Sequence, residues 1–394
     1  MSGGNTRHYL DWAATAIPDY PAPAVPFGNP SSLHLEGRTA REALENARKS
    51  CADVLGVEKE TLYFTSGGTE SNTLILHSFL LRLLSPVNKK SQLLFSAVEH
   101  PSIRNNILLL EKLGIPVGTI GAEKSGHISE ENFSKALEKY PHTRFAAIMG
   151  INNETGSIME LDKLVSLARK KEKENGLPIH IHADLVQALG KHDLDIKGWD
   201  LDSASFSSHK LGGKKGTGLL YIKKPMESLS RGGDQEGAYR PGTENTEGII
   251  CFADLMKKKA QPDYIKKEIN KAREHLSYLI EQLGNIKLRS GEKVCTIIPD
   301  DRERDDIRFS PWILQAGFKG IPGEVMVRAL DKEGIAVSTG SACSVSNKER
   351  PVLAAMGLDE KRQQEGIRIS QGWTTEINDM DALLTGIEKV LSYL

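Results

Sequence analysis

Between about residues 60 and 225, short apolar runs alternate with stretches patterned as helices, and few folds accept that alternation. "TLYFTS", "QLLFSAV", "FAAIMGI", "PIHIHADL" and "TGLLYI" read as strands, each shorter than an ordinary helix. Among the intervening stretches, "LDKLVSLARKKEKE" (161–174) sets Leu161, Leu164, Val165 and Leu167 or Ala168 on one face and charges opposite, which predicts an amphipathic helix. Strands and helices in alternation build a mostly parallel sheet covered on both faces, an α/β architecture in which ligands collect beyond the strand ends.

After about residue 260 the texture changes. A charged helix, "DYIKKEINKAREHLSYLIEQL", leads to "SPWILQAGF", a helix "GEVMVRALDKEG", a strand "GIRIS" and a last amphipathic helix, "DMDALLTGIEKVLSYL". This reads as a smaller α+β domain. A chain of 394 residues is long enough for two cores, and the cleft between them is the natural place for a site.

Composition excludes several classes of partner. Apolar residues make up 39%, charged residues 26%, and the formal net charge is only -1, so neither a disordered tail nor a strong nucleic-acid field is expected. The segment "MSGGNTRHYLDW" has no apolar signal core, and "LILHSFLLRLL" (74–84) is interrupted by His77 and Arg82 and too short to span a bilayer. The reading is a cytoplasmic protein with no membrane partner. Cysteines at 51, 251, 295 and 343 form no C-x-x-C pair and have no histidine at metal spacing, so neither a disulfide framework nor a metal site is expected. Cys51 and Cys295 read as core. Cys343 differs, because "VSTGSACSVSNKERP" surrounds it with small and hydroxylated residues.

Three stretches suggest chemistry. "FTSGGTESN" (64–72) follows a strand and opens a helix, so its glycines and free N–H groups suit an anion, though an ordinary turn and cap would look the same. It has the spacing of neither a dinucleotide fingerprint nor a nucleotide P-loop, and "GGKKGTG" (212–218) lacks the Ser or Thr a P-loop needs after Lys214. "HIHADLVQALGK" ends a strand with Asp184, which either faces the ligand crevice or caps a helix after the strand. "SASFSSHKLGGKKGTGLLYI" places Lys210 between a hydroxyl-rich segment and a glycine-rich turn, the setting of a lysine that bonds covalently to a carbonyl, although loop lysines are common.

A phosphate cradle, an aspartate at a strand end and a lysine after "SFSSH", in that order, resemble the pyridoxal 5'-phosphate enzymes of the aspartate-aminotransferase fold. Within them, "YLDWAATA", "GNPSSLHLEGR", "FTSGGTES", "VEHPSIRN", "GINNETGSI", "HADLVQALGK", "SFSSHKLGGKKGTG", "RPGTENT", "STGSACS" and "IRIS" resemble the cysteine desulfurases of the class V branch, in order over almost the whole chain. The GSAC-type motif points to the subgroup of housekeeping and nitrogen-fixation desulfurases. The resemblance implies a large domain, 15–260, with a mostly parallel seven-stranded sheet, and a small domain made of 1–14 and 261–394.

By the same resemblance Lys210 carries the cofactor and moves the substrate's Cα proton, and Asp184 pairs with the ring nitrogen. His100 stacks on the ring and handles protons, while Asn153 and Gln187 lie near its phenolic oxygen. Gly68, Thr69, Ser207 and His209 hold the phosphate, with Thr243 supplied by the neighbouring subunit of a homodimer. Arg368, assisted by Asn29, clamps the substrate carboxylate, and Cys343, with His100 as its base, takes the sulfur of L-cysteine as a persulfide and leaves L-alanine. The sulfur then passes to an acceptor protein such as an iron-sulfur scaffold. A C-S lyase, a selenocysteine lyase or an aminotransferase of the same branch is the competing expectation. Two stretches depart from the pattern: "SVSNKERPVLAAMG" is about one residue short, with Lys348 and Arg350 where a Leu-Glu-Pro-Ser type of sequence is expected, and "RFSPWILQAGFKGIPGE" is less typical than the large-domain motifs.

Overall fold

The computed structural model describes residues 7–20, 25–83, 90–287, 291–340 and 350–393. Its elements run β1 (His8–Tyr9), α1 (Leu35–Leu55), β2 (Leu62–Thr65), α2 (Gly68–Leu83), β3 (Gln92–Ser96), α3 (Pro101–Lys112), β4 (Val117–Ile120) and α4 (Glu130–Lys139). Next come β5 (Thr143–Ala147), α5 (Leu161–Asn175), β6 (His180–Asp184), β7 (Ser203–Ser207), β8 (Gly218–Ile222), α6 (Thr246–Lys259) and α7 (Pro262–Asn285). The chain continues through β9 (Cys295–Ile298), β10 (Ile313–Phe318), α8 (Gly323–Lys332), β11 (Ile335–Ala336), α9 (Pro351–Ala355), α10 (Glu360–Glu365), β12 (Gly366–Ser370) and α11 (Ile377–Tyr393).

The expected seven-stranded sheet is present, in the order β2-β8-β7-β6-β5-β3-β4. Only β8 runs against its neighbours, pairing antiparallel with both β2 and β7. The five strands read from sequence are all in it, joined by β4 and β7. Neighbouring strands in the centre bury every residue, as in β7 and β8, because helices cover both faces. In α5 the predicted stripe is borne out, and Ala168, not Leu167, completes the buried face.

The C-terminal part forms a three-stranded antiparallel sheet, β12-β10-β9, backed by an apolar group of its own drawn from α7, α8 and α11 with Leu10. Each leucine or isoleucine fully buried there contributes about 2 kcal/mol. β1 pairs in parallel with β11, so the N-terminal strand starts beside the small sheet and then crosses to the large one. The Ala16 N–H reaches the His209 carbonyl at 3.0 Å. No helix among the described residues is long and apolar enough to cross a membrane, and no cluster of potential metal ligands occurs among them.

Candidate active site

Strands β2, β3, β5, β6 and β7 all point one way, so the residues just past their C-terminal ends collect along one edge of the sheet. That edge borders a cavity of about 580 Å³, closed on the far side by Gly340, Pro351, Val352 and Arg368. The size suits a small cofactor with its substrate. β2 delivers Gly68 and Thr69, β3 delivers Glu99 and His100, β5 delivers Asn153, β6 delivers Asp184 and Gln187, and β7 delivers Ser207, His209 and Lys210. Sequence and structure therefore agree on the membership of the cavity for ten residues, Arg368 included. Two of the expected residues stand elsewhere. Asn29 is exposed, its side-chain oxygen accepting from the Ser31 N–H at 2.9 Å, and Thr243 is exposed. Cys343 lies outside the described residues.

Lys210 follows β7 on a single tight turn, where its Nζ donates to the carbonyls of Ala13 (2.5 Å) and Ala14 (2.7 Å). Gln187 Nε2 donates to the same Ala13 carbonyl at 2.9 Å, and its Oε1 is buried with no partner. The "WAATA" motif thus serves as a carbonyl bracket for the lysine. His209 next to it rests its Nδ1 2.9 Å from Ser207 Oγ. Burial, with the charge of Lys210 adding, pushes its imidazole down to about 4, so it is neutral at ordinary pH.

Asp184 ends β6, 6% exposed. Its Oδ1 accepts from the Val186 N–H at 3.0 Å and its Oδ2 from Asn72 Nδ2 at 2.8 Å. No helix comes directly after it, so the carboxylate closes a turn instead of capping a helix. Asn72 also donates to Ser102 Oγ at 2.8 Å, which leaves the Ser102 hydroxyl hydrogen for His100 Nδ1, 2.8 Å away. The Ser102 N–H donates to that same Nδ1 at 3.1 Å. With Nδ1 accepting, the His100 hydrogen is on Nε2. Burial holds the imidazole neutral, the Lys210 charge adding to the effect and the Asp184 charge opposing it. One asparagine therefore orients both the carboxylate and the histidine, a coupling that only tertiary structure displays.

Glu99, absent from the sequence reading, is fully enclosed beside His100. Its Oε1 accepts from Ser96 Oγ (2.5 Å) and the Met149 N–H (2.6 Å), while Oε2 has no partner. Burial, reinforced by the Asp184 charge against those two hydrogen bonds, pushes its carboxyl up to about 8. An unfolded glutamate titrates near 4.3. Between those values the folded state holds the extra proton, so stability falls as pH rises through this window. Glu99→Gln, which cannot ionise, should gain on the wild type by about 3 kcal/mol between pH 5 and pH 8. Calorimetric melts of both proteins at the two pH values measure this, and a constant difference would mean that Glu99 is already ionised at pH 5.

Arg368, 2% exposed at the centre of β12, reaches across to the large sheet. Its Nη1 donates to the carbonyls of Asn153 (2.8 Å) and Gly340 (3.1 Å), and Nη2 to Asp11 Oδ1 (2.8 Å). Nε remains without a partner. Neither Asp11 nor Asn72 was singled out from sequence, although both lie inside motifs that were.

The donor set fits pyridoxal 5'-phosphate. A Cβ on Gly68 would stand 2.5 Å from the Val186 side chain, so only glycine lets α2 begin this close to the β6 turn. The first-turn N–H groups of α2 have no acceptor within the helix and suit a phosphate. Glu70 in that turn is tied to Arg240 Nε at 3.1 Å, which links the cradle to the loop carrying Thr243. Gln187 Oε1 and Arg368 Nε, buried without a partner among the described residues, are polar groups that a bound ligand would satisfy.

The three described cysteines are poor nucleophiles. Burial pushes the thiols of Cys51 and Cys295 up to about 12 and raises that of Cys251 as well. All three are core residues, as read for Cys51 and Cys295.

Comparison with known proteins agrees with this geometry. The family model "Aminotransferase class-V" matches residues 22–383. A protein of Dictyoglomus turgidum named cysteine desulfurase IscS is 33% identical over 98% of this chain and 95% of its own length. A cysteine desulfurase of Sinorhizobium fredii is 33% identical over 98% of this chain and 97% of its own. Among solved structures, a NifS-like protein superposes with a TM-score of 0.86 at 30% identity, covering 99% of this chain and all of that one. A second NifS-like protein, from Rickettsia africae, gives 0.82 at 26% identity over 98% of this chain and 99% of its own. The chain belongs to the class-V aminotransferase family, among its pyridoxal 5'-phosphate-dependent cysteine desulfurases.

Proposed function

We propose that this cysteine desulfurase works through Lys210, His100 and Cys343, with the cofactor held by Gly68, Thr69, Asn153, Asp184, Gln187, Ser207 and His209 and the substrate carboxylate held by Arg368. The observation that carries the assignment is the convergence of Lys210, Asp184, His100 and Arg368 on one cavity from four separate segments. Bound there, pyridoxal 5'-phosphate supplies an electron sink for the substrate's Cα. Everything else falls to the chain. Arg368 orients L-cysteine by its carboxylate, for which a guanidinium fork is suited. Lys210 moves the Cα proton, a task for an amine freed from the Ala13 and Ala14 carbonyls. Asp184 holds the ring nitrogen protonated, and Asn72 keeps that carboxylate in place. His100 offers Nε2–H and takes up a second proton only by giving up the bond from the Ser102 N–H, which makes it a stacking and donor group before it is a base.

In the transfer step the Cys343 sulfur attacks the substrate sulfur, the substrate C–S bond breaks as an S–S bond forms, and the carbon gains a proton to give L-alanine. Atoms and electrons balance without an external oxidant. The final acceptor in this reading is a protein of iron-sulfur assembly or another thiolation carrier, and the enzyme is cytoplasmic. It is a homodimer in which Thr243 completes the phosphate site of the other subunit, in keeping with its exposure. Asn29 joins Arg368 when substrate binds. The large domain spans 15–260 and the small one 1–14 with 261–394.

The test is peptide mass spectrometry after anaerobic incubation of the holoenzyme with L-cysteine. One added sulfur atom is expected on the peptide containing Cys343, and Cys343→Ala should abolish alanine formation. Continued turnover in Cys343→Ala, with no sulfur on that peptide, would point instead to a lyase or aminotransferase.

A further inference from the structure

Two arginines grip the same pair of neighbouring chain segments. Arg368 takes the carbonyls of Asn153 and Gly340. Arg350 takes the next residue in one segment and the preceding residue in the other: its Nη2 donates to the Thr339 carbonyl and stands 3.5 Å from Glu154 Oε2. Its Nη1 donates to the carbonyls of Gln363 (3.2 Å) and Gly366 (3.3 Å), which anchors the guanidinium to the start of β12, the strand that carries Arg368. Arg350 and Glu154 are almost fully buried, at 6% and 5% exposure.

The arginine contacts add to local bonds that shape each segment. Residues 153–154 lie in a turn whose N–H groups at Glu154 and Thr155 both donate to Asn152 Oδ1 at 2.9 Å. Residues 338–340 are pinned to β12 by the Ser338 and Arg368 backbone pair. Gly340 has φ 106, and a Cβ there would stand 3.1 Å from Glu154 Oε2 and 3.4 Å from Arg350 Nη2. The chain therefore passes hard against the Arg350–Glu154 pair because residue 340 is glycine. Arg350 stands where the resemblance to the desulfurases leads to a different type of sequence, while Glu154 lies within the "GINNETGSI" motif.

We propose that Arg350, with Glu154, is a positioning residue for substrate recognition: it fixes the two segments whose carbonyls hold the Arg368 guanidinium, and so sets the orientation in which Arg368 receives the substrate's α-carboxylate. The inference rests on the reading of Arg368 as the carboxylate clamp. A lysine cannot replace Arg350, since one ammonium cannot span the Thr339 carbonyl, the Glu154 carboxylate and the carbonyls at the start of β12.

The experiment compares Arg350→Lys, Glu154→Gln and Arg368→Lys as holoenzymes. KM and kcat for L-cysteine are measured, together with the Kd of L-alanine from the change in cofactor absorbance. For Arg350→Lys, KM and the alanine Kd should both rise ~10-fold while kcat stays within about twofold and cofactor content is unchanged. Glu154→Gln should move both in the same direction by ~3-fold, and it carries the test if Arg350→Lys does not fold. Arg368→Lys is the reference and should raise both by ~100-fold. If Arg368→Lys raises both constants while Arg350→Lys and Glu154→Gln leave them unchanged, or lower only kcat and cofactor content, the positioning role is wrong and the reading of Arg368 stands. If Arg368→Lys itself leaves them unchanged, the carboxylate assignment falls and this inference with it.

Discussion

Lys210→Ala should lower turnover of L-cysteine by at least ~10³-fold, and the purified protein should lose the visible absorbance of lysine-attached cofactor. The neighbouring groups are poor substitutes. His209, the adjacent titratable side chain, is held neutral by burial. Lys191, the buried amine nearby, is pushed down to about 7 by burial and by the charges of Lys210, Arg368 and Lys259, and its Nζ faces the Trp373 ring at 5.6 Å. Removing Lys210 also strands the Ala13 carbonyl with Gln187 as its remaining described side-chain donor. The space left could admit a small amine, so methylamine should restore part of the activity, roughly tenfold at saturation. A Lys210→Ala enzyme that kept a tenth of wild-type turnover would show that another group moves the Cα proton.

The fold was legible where hydrophobic periodicity was strong. Strands β3, β5, β6 and β8 announce themselves as apolar runs between polar stretches. β4, "VGTI", is a four-residue edge strand with Thr119 exposed, too short and too mixed to signal, and β7, "SASFS", shows that small and hydroxylated residues can fill a fully enclosed strand without an apolar signal. The sheet's one reversed strand, β8, was equally invisible, since pairing direction leaves no mark on composition. The site was legible to the extent that chemistry clusters in motifs: Lys210, Asp184 and His100 each come just after a strand or at its end, and the motif order pointed to the cofactor. Arg368 emerged only through the resemblance of "IRIS". The hidden part was relational. Asn72 serves Asp184 and Ser102 at once, Asp11 reaches Arg368 from a part of the chain 357 residues away, and Glu99 is unusual only because of the groups that enclose it. None of these roles depends on residue type alone, so no local pattern could carry them.

Asp184→Asn tests the electrostatic half of the site. The variant should fold and retain cofactor on Lys210, because the side chain keeps its volume and the Val186 N–H keeps an acceptor. Turnover should nonetheless fall by ~10²- to 10³-fold, the usual effect of losing one preorganised charge in an enclosed site. A neutral amide cannot hold a proton on the ring nitrogen. The charges around it lead to two further changes. Asp184 raises both Glu99 and His100, so in the variant the Glu99 carboxyl should titrate below its present value of about 8 and the His100 imidazole lower still. Isotope-edited NMR of both side chains, read beside kcat, separates the possibilities. If kcat falls and both titrations move down, Asp184 acts as a buried negative charge shared by cofactor, acid and histidine. If kcat falls while neither moves, the carboxylate acts only through the Asn72 and Val186 hydrogen bonds, and Asp184→Ala should then differ from Asp184→Asn only by the one further stranded donor, the Val186 N–H, about 1 kcal/mol in stability.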